Sequence, residues 1–172
     1  MILPATLVHP RVTQEDDRTT RDLELFREQL RSGAAHAHSY VILLGLRTFE
    51  LGKVLKAVEN GLAFGALEHL QRNVGLSTEE LGELVQISRR TMARRKQEGR
   101  FLPEESDRLL RAARLFARAL ELFDGASDDA LRWLRSAQTA LGGAVPLAIA
   151  RTEVGAREVI TLIDRLQQGV FS

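Results

Sequence analysis

The sequence predicts an all-α chain, and three observations carry that prediction. Leu, Ala, Arg and Glu, all strong helix formers, dominate the 172 residues, and aromatic residues make up only 5%. No stretch alternates Val, Ile, Thr or Tyr with polar residues as a half-buried strand does. Ser, Gly and Pro stand at intervals that start and stop helices.

Taken in order, the signals place each element. Residues 1 to 22 are polar, with Pro4, Pro10 and an acidic-basic cluster from Glu15, and read as mobile. A helix is expected from Arg21 to Leu30, with Leu23, Phe26 and Leu30 on one face and Gly33 beyond its end. Val41 to Leu46 is apolar and too short to type. Phe49 to Val58 form a helix stopped by Asn60 and Gly61, and Phe64 to Asn73 one stopped by Gly75. Ser77 and Glu80 make a capping box for a helix that ends near Gln86. Ser88 caps the next, Arg89 to Glu98, which Gly99 closes. Pro103 opens a long helix to Phe123. Ser127 is expected to cap a helix carrying Leu131, Trp133 and Leu134. A turn follows at Leu141-Gly142-Gly143, then helix from Pro146 to Gln167 with a break near Thr152.

Composition bounds the function. A hydrophobic content of 44% is globular, and the length suits one ordinary domain or two very small ones. Lys and Arg number 24 against 23 Asp and Glu, a net charge of +1, so a nucleic-acid footprint must be local. Cys is absent, which removes disulfides, thiolate metal sites and cysteine nucleophiles and fits a reducing compartment. The apolar run at Val41 falls far short of the roughly 20 residues a membrane span needs. With no signal-peptide pattern at the start, a cytoplasmic protein away from membranes is expected.

The charge is concentrated. Between Gln86 and Arg118 there are ten Arg or Lys residues and four carboxylates, a local excess that suits phosphate binding. Two short capped helices sit back to back there, with only Ile87 and Ser88 between them, the spacing of a helix-turn-helix. At about 100° per residue, Arg90, Arg94 and Gln97 fall opposite Met92. Met92 is expected to pack on Leu81, Leu84 and Ile87, leaving Arg90 and Arg94 for the major groove, where Arg reads guanine. Ser88, Arg89, Thr91, Arg95 and Lys96 flank that face and are expected at the backbone phosphates. The competing reading is a solvated Arg-rich face; the caps and the inward Met92 favour DNA. Leu109, Ala113, Phe116, Leu120 and Phe123 make an apolar stripe on the long helix, read as core with a dimer seam as its alternative use.

Other chemistry is sparse. His36 and His38 form an H-x-H pair without carboxylate support, read as linker rather than metal site, and no metal or catalytic residue is assigned. No phosphate-loop, dinucleotide or nucleophile-elbow motif is present, which disfavours an enzyme. Trp133 is the sole Trp, an interface anchor or the centre of a small core, and Val170 and Phe171 are apolar at the chain end.

At these residues a family resemblance emerges. Ile87-Ser88-Arg89-Arg90-Thr91-Met92-Ala93-Arg94-Arg95-Lys96 resembles the helix-turn-helix of the Xre/MbcA/ParS antitoxins. Ser106 to Arg111, Ala119 to Phe123 before Gly125, Ala130, Trp133-Leu134, Leu141-Gly142-Gly143, Pro146-Leu147, Thr152 with Gly155, and Gly169-Val170-Phe171 resemble the rest, from Phe49 to Ser172. Ala137-Gln138 stands where the family often has Pro-Asn. The resemblance implies an antitoxin whose C-terminal domain covers the active site of a RES-domain toxin that consumes NAD, and whose helix-turn-helix represses its own promoter. The chain then divides into an N-terminal extension at 1–45, on which the resemblance is silent and which reads as a dimerisation arm or a flexible leader, a helix-turn-helix DNA-binding domain at 46–102 and a toxin-binding domain at 103–172. The implied toxin contacts are Trp133, Leu134, Leu141, Gly142, Gly143, Arg151, Thr152, Arg157, Gly169, Val170 and Phe171. The NAD chemistry belongs to the toxin, so no cofactor is assigned. Helix-turn-helix proteins usually match palindromic half-sites roughly 34 Å apart, so a homodimer on double-stranded DNA is expected. The alternative is a stand-alone repressor whose C-terminal half dimerises or senses a ligand.

Overall fold

A computed structural model describes residues 14–33 and 37–169. Among them the chain is helical, and isolated bridges stand in place of strands. The elements are α1 (Gln14–Ser32), a 3-10 segment (Ser39–Leu44), α2 (Leu51–Glu59), α3 (Gly65–Val74), α4 (Thr78–Leu84), α5 (Arg89–Glu98), α6 (Pro103–Leu122), α7 (Ser127–Arg135), a 3-10 turn (Thr139–Leu141), α8 (Pro146–Ile149) and α9 (Glu153–Gln167). No helix among the described residues is long and apolar enough to cross a membrane.

The long helix α6 is the spine. The 3-10 segment, α9, α7, α2 and α3 all pack on it. Leu109, Ala113, Phe116 and Leu120 are buried there, so the stripe is core and offers no seam to a second copy. Phe123 ends the stripe and packs on Trp133, ring centres 6.5 Å apart. Buried aliphatic side chains contribute roughly 1.5–3 kcal/mol each, so this spine outweighs any single polar contact.

The first helix begins at Gln14 rather than Arg21, and Ser39–Leu44 is buried at every residue. The reason is composition: Tyr40 to Leu44 presents no polar face, so it can only be enclosed. Asp22 of α1 is buried and pairs with Arg47 and with His69 Nδ1 (2.8 Å). Arg27 donates to the Gly125 carbonyl at 2.8 Å, tying α1 to the α6–α7 turn. His36 lies outside the described residues; His38 meets the Tyr40 hydroxyl at 3.3 Å.

The helix-turn-helix unit closes on itself. Phe64 N–H donates to Gly99 and Phe101 N–H to Leu62, joining the linkers before α3 and after α5. Phe64 and Phe101 stack beneath, 5.4 Å between centres. In the C-terminal half one expectation needs correction. Ser127 is the first residue of α7, not its cap; the cap position is Ala126 and carries no side-chain bond. The break near Thr152 is present, and Thr152 caps α9 by accepting from Gly155 N–H at 3.0 Å.

Candidate functional sites

The helix-turn-helix unit starts from its caps. Ser77 accepts from Glu80 N–H while Glu80 accepts from Ser77 N–H, so the box at α4 is complete. That N–H bond, with the Arg135 guanidinium, holds the Glu80 carboxyl below its ordinary value. Ser88 accepts from Thr91 N–H and fixes the first turn of α5.

The faces of α5 divide sharply. Met92 and Arg95 are buried, while Ser88, Arg89, Arg90, Arg94, Lys96 and Gln97 are exposed and Thr91 is half-buried. Arg90 has no partner among the described residues, and Arg94 only grazes Glu98 at 4.0 Å. These two project opposite Met92, so the helix offers two guanidinium groups and Gln97 outward.

Arg95 was expected at a phosphate, and the structure places it elsewhere. Its fork grips Glu105 of α6 at 2.7 and 3.1 Å, and it also bonds Glu98. Glu105 in turn accepts from Leu102 N–H at 2.8 Å. Burial alone raises the Glu105 carboxyl; Arg95 and the Leu102 N–H outweigh it and hold it below its ordinary value. The Glu105 carboxylate likewise raises the Arg95 guanidinium. The reason is angular: Arg95 lies one turn from Met92, on the side turned to the protein. Glu105 is the functional partner that sequence reading missed; its signal was position, third in a helix opened by Pro103.

Other cations of the basic stretch also have partners within the chain. Arg89 reaches Glu79 at 2.7 Å and Lys96 reaches Glu68 at 3.7 Å, across a groove of about 630 Å³ between α3, α4 and α5. Lys96 also stands 5.8 Å over the Phe64 ring. Arg108 donates to the Val85 carbonyl, Arg114 covers Tyr40, and Arg118 bonds Glu121 and Asp164. Much of the local positive charge is thus paired within the chain, and the exposed face of α5 keeps Arg90 and Arg94 for other partners.

The C-terminal candidates fall into three groups. Leu134 is fully buried in the core, which corrects its reading as a surface anchor; Trp133 and Leu141 are half-buried. Gly142, Gly143, Thr152, Arg157 and Gly169 are exposed. Val170 and Phe171 lie outside the described residues. Gly142 (φ +66°) and Gly143 (φ +83°) make the turn in which Gln138 and Ala144 pair, a conformation other residues resist. Gln138 also donates to the Trp133 carbonyl at 3.2 Å. Arg151 is tied to α4, its guanidinium 3.2 Å from Glu83. Val154, overlooked in the sequence, is 74% exposed on the outer face of α9, beside Arg157 and Glu158. Its signal was legible: helical spacing puts it on that charged face, away from Ala156, Val159 and Ile163.

Comparison with known proteins matches two domain families, one in each half of the chain. Residues 53–114 match the Antitoxin Xre-like helix-turn-helix domain, and residues 118–169 match the Antitoxin Xre/MbcA/ParS C-terminal toxin-binding domain. Both matches meet within α6, so the spine serves both parts. The chain is similar to Antitoxin Xre of Yersinia enterocolitica, 32% identical over 120 residues, spanning 69% of this chain and 81% of the relative. It is similar to Antitoxin Xre of Photorhabdus laumondii, 31% identical over 123 residues, spanning 70% of this chain and 83% of the relative. A helix-turn-helix with outward arginines, joined by one helix to a toxin-binding domain, is the architecture of an antitoxin rather than an enzyme, and this chain belongs to the Xre antitoxin family.

Proposed function

We propose that this antitoxin lays α5 in the major groove of its own promoter as a homodimer, in the cytoplasm, and represses its operon. The observation that supports the DNA reading is the outward pair Arg90 and Arg94, the second only 4.0 Å from Glu98, on a helix fixed by Ser88 below and Arg95 behind. Arg90 reads a guanine edge. Ser88, Arg89, Thr91, Lys96 and Gln97 lie around it toward the phosphates. A gel shift on the promoter tests this. Arg90→Ala relaxes preference at one base, whereas Lys96→Ala weakens all sequences alike and lowers the salt slope by about 1. Unchanged binding in both variants rejects α5 as the reading helix.

The partner we propose is a RES-domain toxin that consumes NAD, as the family resemblance implies. Gly142, Gly143, Thr152, Arg157 and Gly169, with Trp133 and Leu141 at the edge, form the surface, and Val170 and Phe171 follow directly. Co-expression with the protein encoded beside it decides the matter. A stable complex in which NAD consumption stops supports the reading. Promoter binding without a complex leaves a plain repressor.

A further inference from the structure

The turn between α4 and α5 is held from outside the helix-turn-helix. Gln86 sits at φ +54°, a left-handed conformation uncommon for a residue with a side chain. Arg108 donates its Nε to the adjacent Val85 carbonyl at 2.7 Å. Gln86 donates its Nε2 to the Arg151 carbonyl at 3.0 Å, and Arg111 reaches the same carbonyl at 3.4 Å. The Arg151 guanidinium grips Glu83, one turn earlier on α4. Arg151 belongs by sequence to the toxin-binding match, yet each of these bonds faces the DNA-binding part.

We infer that Arg151 is a positioning residue for DNA reading: it fixes the turn that aims α5 at the groove. The inference rests on the DNA reading proposed above. Ser88, the cap of α5, lies two residues past Gln86, so the backbone at Gln86 sets the angle between the helices. A recognition surface has to be held within roughly 0.5 Å and 10–20° of its productive geometry. The turn carries its own bonds, from Gln86 N–H to the Glu83 carbonyl and from Ile87 N–H to the Gly82 carbonyl, and the 150–152 loop adds a hold on the Gln86 and Glu83 side chains from outside. The same geometry gives the exposed Arg151 side chain a partner on α4, in Glu83.

The test uses the full chain, its promoter DNA and the protein encoded beside it. Arg151→Ala and Glu83→Gln each lower promoter affinity by about two- to fivefold, the range of an exposed pair. The double variant loses no more than either single one, and an Arg151→Glu, Glu83→Arg swap restores affinity. Amide exchange at Ile87, whose N–H donates to the Gly82 carbonyl, speeds up in the single variants while helix content stays constant. Capture of the partner is unchanged. Unaltered promoter affinity, additive losses, or loss of partner capture alone overturns the inference. If the parent chain fails to bind its promoter, the DNA reading is what fails, and the exchange rate at Ile87 still decides whether Arg151 holds the turn.

Discussion

The helices α5 and α9 begin alike and end up differently employed. Each starts on a hydroxyl cap, Ser88 for one and Thr152 for the other, and each turns arginines to solvent. In α5 the inward face is a methionine and an arginine, so its seat depends on one polar clamp. In α9 the inward face is Ala156, Val159 and Ile163, and its seat depends on apolar packing. A short, highly charged helix buries too little surface to be held by the hydrophobic effect alone. Its aim is then set by geometry-sensitive bonds, which suits the base-reading role proposed for it. Charge count is therefore a poor guide to function here: Arg90 and Arg95 differ by one helical turn and a half, and one faces outward while the other is structural.

The largest expected effect breaks that contrast. Arg95→Ala leaves Glu105 buried without its cation, and removal of one member of a buried pair is strongly destabilising. The midpoint of thermal unfolding drops on the order of 10 °C. Arg90→Ala, one and a half turns away, leaves it within about 2 °C, because that side chain is exposed and has no polar partner among the described residues. Equal midpoints for the two variants would sink the assignment of Arg95 as the clamp.

On the α9 side the corresponding weak point is steric. A Cβ at Gly155 would stand 1.9 Å from the Ile149 carbonyl oxygen, a main-chain atom that cannot swing aside. Gly155→Ala has to push α8 and α9 apart, at a cost of about 3 kcal/mol, near the upper range for overpacking. Promoter binding at low temperature survives, and partner capture is lost. If capture survives with an unchanged midpoint, α8 and α9 are not seated as described.

Acid separates the two parts next. Glu80 and Glu105 serve the helix-turn-helix, and their carboxyls lie below the ordinary value of 4.5. Lowered acids stabilise the fold fully above the unfolded value, and that stability is lost as pH falls through the folded values. Glu121 near the end of α6 has the opposite sign, because burial raises it, so its protonation favours the fold. Below pH about 4.5 the amides of α4 and α5 lose exchange protection before those of α9. Glu105→Gln flattens the acid limb of stability. Simultaneous loss of protection in both parts would count against the contrast.

Local signals made the helix-turn-helix legible in sequence. Ser77 with Glu80, then Ser88 and Gly99, act within one turn, so their geometry follows from spacing alone. Arg90 and Arg94 opposite Met92 were readable for the same reason. What escaped the sequence was set at long range. The clamp from Arg95 to Glu105 joins two helices, and Asp22 to His69 joins positions far apart in the chain. Leu134 and Trp133 are neighbours of similar character, yet only contact with α6 decides that one is enclosed and the other half-open. The fate of Tyr40 to Leu44 was ambiguous because an apolar run specifies burial without specifying helix or strand.

The smallest effect tests how far cap chemistry can be trusted. Thr152 and Ser127 are hydroxyl residues at the starts of helices in the C-terminal half, and Ser127 reads as a cap in sequence. Thr152 accepts from Gly155 N–H; Ser127 sits one residue inside α7 behind Ala126. Thr152→Ala therefore costs about 1 kcal/mol, the usual loss of a helix cap. Ser127→Ala lies within about 0.5 kcal/mol of the parent, since serine gives up no cap there and alanine is the better helix former. Chemical denaturation of the two variants at constant slope resolves the difference. A loss at Ser127 as large as that at Thr152 would move the start of α7 by one residue and restore the sequence reading.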